Sequence, residues 1–141
     1  MNRYAKTVAS LALLSLAFSI PAFAEEPVNA ARGVIQRQIE AFLADDATTA
    51  YSFASPQIRS RFPTEAAFFD MVKRGYTPVY RPGNFAFGRA KAEGIQVVQE
   101  VLISAPDGTD WTALYFLVRQ GDGSYKINGV QMLKSTPGPQ I

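Results

Sequence analysis

The sequence predicts an α+β fold in which N-terminal helices pack on one side of a curved, four-stranded antiparallel meander. Three observations predict it. Apolar residues recur at spacings of three and four through the first half. The second half divides into four stretches rich in Val, Ile, Phe and Tyr. Short turn-forming segments separate those stretches, so neighbouring strands pair as hairpins. Helices first and a meander afterwards is the order of an α+β domain with its helices on one face of the sheet.

Residues 1–24 read as a secretory signal. Arg3 and Lys6 give a positive start, and Thr7 to Ile20 carries no charge. Pro21 then breaks the run, and Ala22-Phe23-Ala24 places small residues where a signal peptidase inspects them. The apolar run is shorter than the roughly 20 residues needed to cross a bilayer. Cleavage is therefore expected to leave no stable membrane anchor, and the protein is expected to be exported, to a periplasm or outside the cell. The remaining 25–134 form a single domain, long enough to bury about two thirds of its unfolded surface. Ser135-Thr136-Pro137-Gly138-Pro139 opens a flexible tail, 135–141.

In the helical half, Val28, Ala31, Ile35, Ile39 and Phe42 form one stripe, predicting a helix from Pro27 to Ala44. Arg32, Gln36, Arg37 and Glu40 fall on its other side. Asp45-Asp46 ends that helix and caps a second, from Thr48 to Ala54, which stops before Pro56. Gln57 to Phe62 is a further helical turn. Thr64 is the N-cap of the next helix, Glu65 lies in the positive end of its dipole, Phe68, Phe69 and Val72 are its buried face, and Gly75 is its stop.

The strands are expected at Asn84–Glu93, Gly94–Ser104, Trp111–Gln120 and Ser124–Lys134, with turns at Pro106-Asp107-Gly108-Thr109 and Gly121-Asp122-Gly123. In the third strand, Leu114, Phe116 and Val118 share one face, while Trp111, Ala113, Tyr115, Leu117 and Arg119 share the other. Both faces are partly apolar. One meets the helices; the other lines a cavity or meets another chain.

Composition excludes several chemistries. The chain of 141 residues has 14 basic and 12 acidic side chains, no His and no Cys. That leaves no Ser–His–Asp or Cys–His machinery, no disulfide framework and no structural zinc site. No metal and no cofactor is expected. The positive excess leaves with Arg3 and Lys6, but the balance is uneven. Seven basic residues (Arg59, Arg61, Lys73, Arg74, Arg81, Arg89, Lys91) oppose Glu65 and Asp70 between positions 59 and 91, a net of +5 in a neutral mature chain. Export and neutrality argue against a nucleic-acid partner; a small anionic molecule suits the basic middle.

The candidate binding residues lie mostly in the Tyr/Arg link from Lys73 to Gly83, which is too rich in Pro and Gly for regular structure. Arg74, Tyr76, Tyr80 and Arg81 carry forks and hydroxyls that recognise anions and ring faces. The plainer reading packs both tyrosines as a lid and leaves the arginines solvated or ion-paired. Trp111 and Tyr115, on one strand face with Arg119, would either add an aromatic ligand wall or pack in the core or a dimer. Asp70 and Glu100 are candidate bases: Asp70 if it points into a cleft rather than pairing with Lys73 or Arg74, and Glu100 if it, rather than Gln99, faces inward. Asp107, Asp110 and Asp122 lack a calcium-loop spacing and read as turn formers.

The segments Arg74-Gly75-Tyr76-x-Pro78-Val79-Tyr80-Arg81-Pro82, Trp111-Thr112-Ala113-Leu114-Tyr115 and Asp122-Gly123-Ser124-Tyr125-Lys126-Ile127-Asn128-Gly129-Val130 resemble a family of small exported bacterial proteins known only as a domain of unknown function. The resemblance covers Asn29 to Lys134. The last of the three is also similar to the final hairpin of the nuclear-transport-factor-like (ketosteroid-isomerase-like, SnoaL-like) α+β roll. That resemblance implies a bent sheet wrapped on the helices around a conical pocket, with Tyr76–Arg81 at its mouth, and a homodimer through the sheet. It implies no catalytic residue here. The expected function is small-ligand binding or an accessory role, for an anionic or aromatic molecule. Two alternatives are a lyase, isomerase or hydrolase using a pocket carboxylate and a Tyr, and a structural envelope interaction module.

Overall fold

The computed structural model describes residues 22–135; the expected signal up to position 21 and the tail from position 136 lie outside the described residues. The described chain runs α1 (Ala22–Leu43), α2 (Ala47–Ser52), α3 (Pro56–Arg61), α4 (Glu65–Gly75), α5 (Thr77–Tyr80), β1 (Asn84–Glu93), β2 (Gln96–Ser104), β3 (Asp110–Arg119) and β4 (Tyr125–Lys134). The strands form one antiparallel sheet in the order β1-β2-β3-β4. No helix among the described residues is long and apolar enough to cross a membrane.

The helix starts follow their side-chain caps. The Asp46 carboxylate accepts from the Thr49 N–H at 3.0 Å, the Ser55 hydroxyl from the Ile58 N–H at 3.3 Å, and the Thr64 hydroxyl from the Ala67 N–H at 3.1 Å. Each such cap is worth about 1 kcal/mol. Two expectations are corrected. α1 begins at Ala22 and contains Pro27, because Ala and Glu on its N-terminal side favour helix. The link expected to be irregular contains α5, with Pro78 in its first turn, where a missing N–H breaks no bond.

The core lies between the helices and the inner face of the sheet. Ile35, Ile39 and Phe42 of α1 and Phe68, Phe69 and Val72 of α4 meet Val97, Val101, Ile103, Ala113, Tyr115, Leu117, Tyr125 and Ile127. Each large aliphatic side chain so buried contributes about 1.5–3 kcal/mol. Of the two faces of β3, the one carrying Ala113, Tyr115 and Leu117 meets the helices. Arg32, expected on the solvent side of α1, turns to the sheet instead. Its Nε donates to Gln99 Oε1 at 2.9 Å and its guanidinium stacks over Phe87.

Two bulges bend the sheet. In β1, Gly88 and Arg89 oppose the single residue Glu100 between the pairs Phe87↔Val101 and Ala90↔Gln99. In β4, Asn128 is the extra residue between Phe116↔Gly129 and Leu117↔Ile127. Such insertions raise local twist and re-aim side chains. The helical layer is stitched to the edge of the sheet beside the second bulge. The Ser55 N–H donates to Ile127 O at 2.9 Å and the Ile127 N–H to Phe53 O at 2.8 Å, a short parallel bridge at Ala54.

Candidate functional site

The bulge and the stitch together open a cleft. α1 and α3 pack on β4, and with α4 and α5 they surround the space over Ile127–Val130 without filling it, leaving a half-enclosed cavity of about 290 Å³. Its walls are apolar: Ile58 and Phe62 from α3 and its end, Phe68, Met71 and Val72 from α4, Val79 from α5, and Ile127 and Val130 from β4. The amphipathic spacing of α4 supplies one wall, since Phe68, Met71 and Val72 lie three and four apart on one face.

Four polar side chains break this surface. Gln38 of α1 is 3% exposed; its amide donates to Ala50 O at 3.2 Å, and its own oxygen has no hydrogen-bond partner among the described residues. Asn128 is turned by the bulge toward the helices, where its Oδ1 accepts from the Ser55 hydroxyl at 2.7 Å, so its NH₂ remains a donor. Tyr76, half-buried at the end of α4, presents a phenol with no hydrogen bond among the described residues. Arg61, exposed in the last turn of α3, makes no ion pair among the described residues. The lining contains no carboxylate.

The sequence-derived candidates scatter around this cleft, and Tyr76 alone of them lines it. Asp70 is solvent-exposed and ion-paired with Arg74 at 3.6 Å, one helical turn away, so neither reaches the cleft. Glu100 lies on the outer face of the sheet. It accepts from the Arg89 backbone N–H at 3.1 Å and pairs with the Arg89 guanidinium at 3.0 Å, which holds its carboxyl below the usual range. It ties the β1 bulge on the outer face, away from the cleft; the inward residue is Gln99. Tyr80 packs edge-on to Phe42 and Phe69 and donates to Asp45. Arg81 pairs with Asp45 at 2.8 Å and donates to Phe42 O, closing the end of α1. Trp111 stands at the far end of the sheet beside Asn84 and Ser104. Tyr115 is wholly buried in the core, where its hydroxyl has no partner among the described residues and burial pushes its pKa well up. The aromatic wall is therefore corrected to a core residue and a sheet-end residue.

Arg61, Gln38 and Asn128 were not singled out from the sequence. Arg61 belongs to the basic middle, and Asn128 to the segment with the likeness to the final hairpin, but only the bulge and the stitch bring them to one rim.

Helices followed by a bent, four-stranded antiparallel sheet, with a cleft between the helices and the last strand, make an α+β fold of the NTF2-like kind. An NTF2-like protein of unknown function from Shewanella baltica OS155 has this fold. It is similar over 79% of this chain and 97% of its own, at 15% identity and a TM-score of 0.55. An NTF-2 like protein of unknown function from Burkholderia xenovorans LB400 is also similar, at 17% identity, 82% and 90% coverage and a TM-score of 0.49. No curated protein matches the chain. Residues 25–140 match the family described as a domain of unknown function, DUF4864, and the chain belongs to that family.

Proposed function

We propose that this chain is an exported, non-enzymatic accessory domain that binds a small molecule with an apolar body and one anionic group. The carrying observation is the apolar cleft whose rim holds the guanidinium of Arg61, without an ion pair among the described residues, beside the Tyr76 phenol and the Asn128 amide. A pocket of this kind takes its affinity from the walls and its orientation from the few polar groups. Arg61 replaces Arg74 and Arg81 as the anion-selecting residue, since those two are engaged by Asp70 and Asp45. An enzyme using Asp70 or Glu100 has lost both carboxylates to structural ion pairs.

Isothermal titration with 4-phenylbutyrate, an aromatic ring carrying a carboxylate, tests the reading. Arg61→Gln should weaken binding about tenfold, the worth of one charge-assisted hydrogen bond. Arg74→Gln should change nothing, and uncharged 4-phenylbutanol should bind the parent protein as weakly as 4-phenylbutyrate binds the variant. Equal binding by both variants removes the proposal. Export rests on the charged start, apolar run and Ala-x-Ala end of residues 1–24; a mature mass beginning anywhere but near Glu25 would count against it.

A second reading concerns the outer face of the sheet, and it supports a homodimer. Leu102, Phe116 and Leu133 are 46%, 37% and 42% exposed there. Leu102 and Leu133 flank Thr112 in one row, and Val98 pairs with Phe116 in another. Exposed apolar side chains gathered on one face of a sheet mark an association surface, and the Glu100–Gln131 row between them gives it a polar seam. Sedimentation velocity of the mature chain decides it, a purely monomeric boundary at high concentration ruling it out.

A further inference from the structure

A second depression lies on the other side of α3, lined by Tyr51, Arg59, Ser60, Pro63, Gln120 and Lys126. Its chemistry follows from how α2 ends. The carbonyl of Ser52 would accept from the residue four positions on, which is Pro56 and has no N–H. Arg59 serves that carbonyl and two near it, of which Tyr51 O also accepts from the Ala54 N–H. Its Nε donates to Ala54 O at 3.2 Å, and its Nη2 to Tyr51 O and Ser52 O, both at 3.1 Å. Its guanidinium lies over the Tyr51 ring at 4.9 Å, and the Tyr51 hydroxyl is itself fixed on Phe62 O at 2.7 Å. The guanidinium plane is therefore held rigidly.

Capping is complete with Arg59 alone, yet a second cation comes to the same oxygen. Lys126 Nζ donates to Ser52 O at 2.7 Å. Two full positive charges then stand within about 6 Å of each other, since both reach one carbonyl. Neither makes an ion pair among the described residues. Asp122 senses the Lys126 charge, but its carboxylate is engaged by the Ser124 N–H and hydroxyl at 2.9 and 2.6 Å. A third cation is near: Arg37 stacks at 5.5 Å on the Phe53 ring that Lys126 also approaches.

Counting donors shows what is left over. A guanidinium has five N–H groups and an ammonium three. The carbonyls use the Nε–H and both Nη2 hydrogens of Arg59, and one hydrogen of Lys126. Both Nη1 hydrogens and two Nζ hydrogens are unused, beside the exposed hydroxyl of Ser60 and an open surface. We propose that this depression is a binding site for a phosphate group, as the free ion or as a small phosphate ester. A tetrahedral dianion can accept from both cations at once and offset their mutual repulsion, which a neutral ligand cannot. The site is separate from the cleft at Arg61, and neither reading depends on the other.

Titration of the full mature chain with inorganic phosphate, followed by amide chemical shifts at constant ionic strength set with sodium chloride, tests the site. The expected result is saturable shifts centred on Tyr51, Arg59, Ser60 and Lys126. Lys126→Met should weaken phosphate binding about tenfold or more, and Ser60→Glu should abolish it. Both variants keep Arg59 on the α2 carbonyls, so their melting temperatures should stay near the parent's. Tighter binding of glycerol 3-phosphate assigns the site to an ester, and tighter binding of inorganic phosphate to the free ion. Shifts no larger than chloride produces, or folded variants that bind as the parent does, would overturn the proposal and leave the two cations as helix caps.

Discussion

Asp45 holds a backbone φ of 53°, in the left-handed region that a side chain seldom adopts. It stays there because its carboxylate is the meeting point of α1 and α5. It accepts from the Tyr80 hydroxyl and from Arg81, while Arg81 also takes the Phe42 carbonyl and lies over the Tyr80 ring at 4.0 Å. The Tyr80 hydroxyl first, then Arg81, holds the Asp45 carboxyl below its ordinary value. A carboxylate depressed in the folded state stabilises the fold above its unfolded pKa, about 4, and loses that contribution as acid protonates it. Asp45→Asn should therefore lower the urea midpoint at about pH 6. The difference from the parent should shrink steadily once the pH falls below about 4. A gap between the two proteins that is the same at both pH values would contradict this role. Tyr80 and Arg81 were conspicuous in the sequence as an aromatic and a cation side by side. Their partner was not, because it lies 35 and 36 positions back and nothing local points to it.

The β1 bulge shows how two adjacent polar residues in an apolar strand act on one element. Gln99 faces inward, wholly buried, and its amide donates to Gly88 O, Arg89 O and Glu100 O at 3.2, 3.3 and 2.8 Å while accepting from Arg32. Glu100 faces outward and takes the Arg89 N–H. A Cβ on Gly88 would stand 3.0 Å from Glu100 Oε2 and 3.1 Å from its Cβ, so a side chain there would have to push Glu100 aside. Gln99→Leu keeps the volume but removes the acceptor of the partly buried Arg32 Nε–H and the two amide hydrogens shared among three carbonyls, of which Gly88 O keeps Arg32. It should cost about 2–4 kcal/mol in chemical denaturation, beyond the usual loss for a single hydrogen bond. A loss below about 1 kcal/mol would show that the bulge holds without the amide. At this scale the sequence was legible. The helix caps, the turns and all four strands lie within a few residues of where periodicity and turn chemistry put them. The polar break in β2 was visible, but its purpose was not, since a bulge is a relation between two strands and neither alone encodes it.

At the scale of the whole molecule, one face of the sheet is filled and the other is open. The filled face leaves the cleft at one end, where Arg61 and Val130, far apart in sequence, become neighbours. Long-range proximity of that kind comes from the sheet's bend and the Ala54–Ile127 bridge, which explains why Tyr76 alone of the sequence candidates reached the site. The homodimer proposed through the open face makes its own prediction. Placing a charge there with Phe116→Glu should lower self-association in sedimentation velocity, with the far-UV circular dichroism unchanged because Phe116 is outside the core. Continued dimerisation by this variant would move the interface elsewhere.

The stitch between Phe53–Ser55 and Ile127 has a consequence in time as well as in space. Chains emerge from the ribosome N-terminus first, so every helical wall of the cleft is synthesised long before the strand that closes it. Until β4 is released, Phe68 already rests on Phe42 and Tyr51, but the cleft has no strand side and Asn128 has not yet arrived. While β4 is still in the ribosome, the cleft therefore lacks the wall made by Ile127–Val130. It is completed only with the final hairpin, at the very end of synthesis.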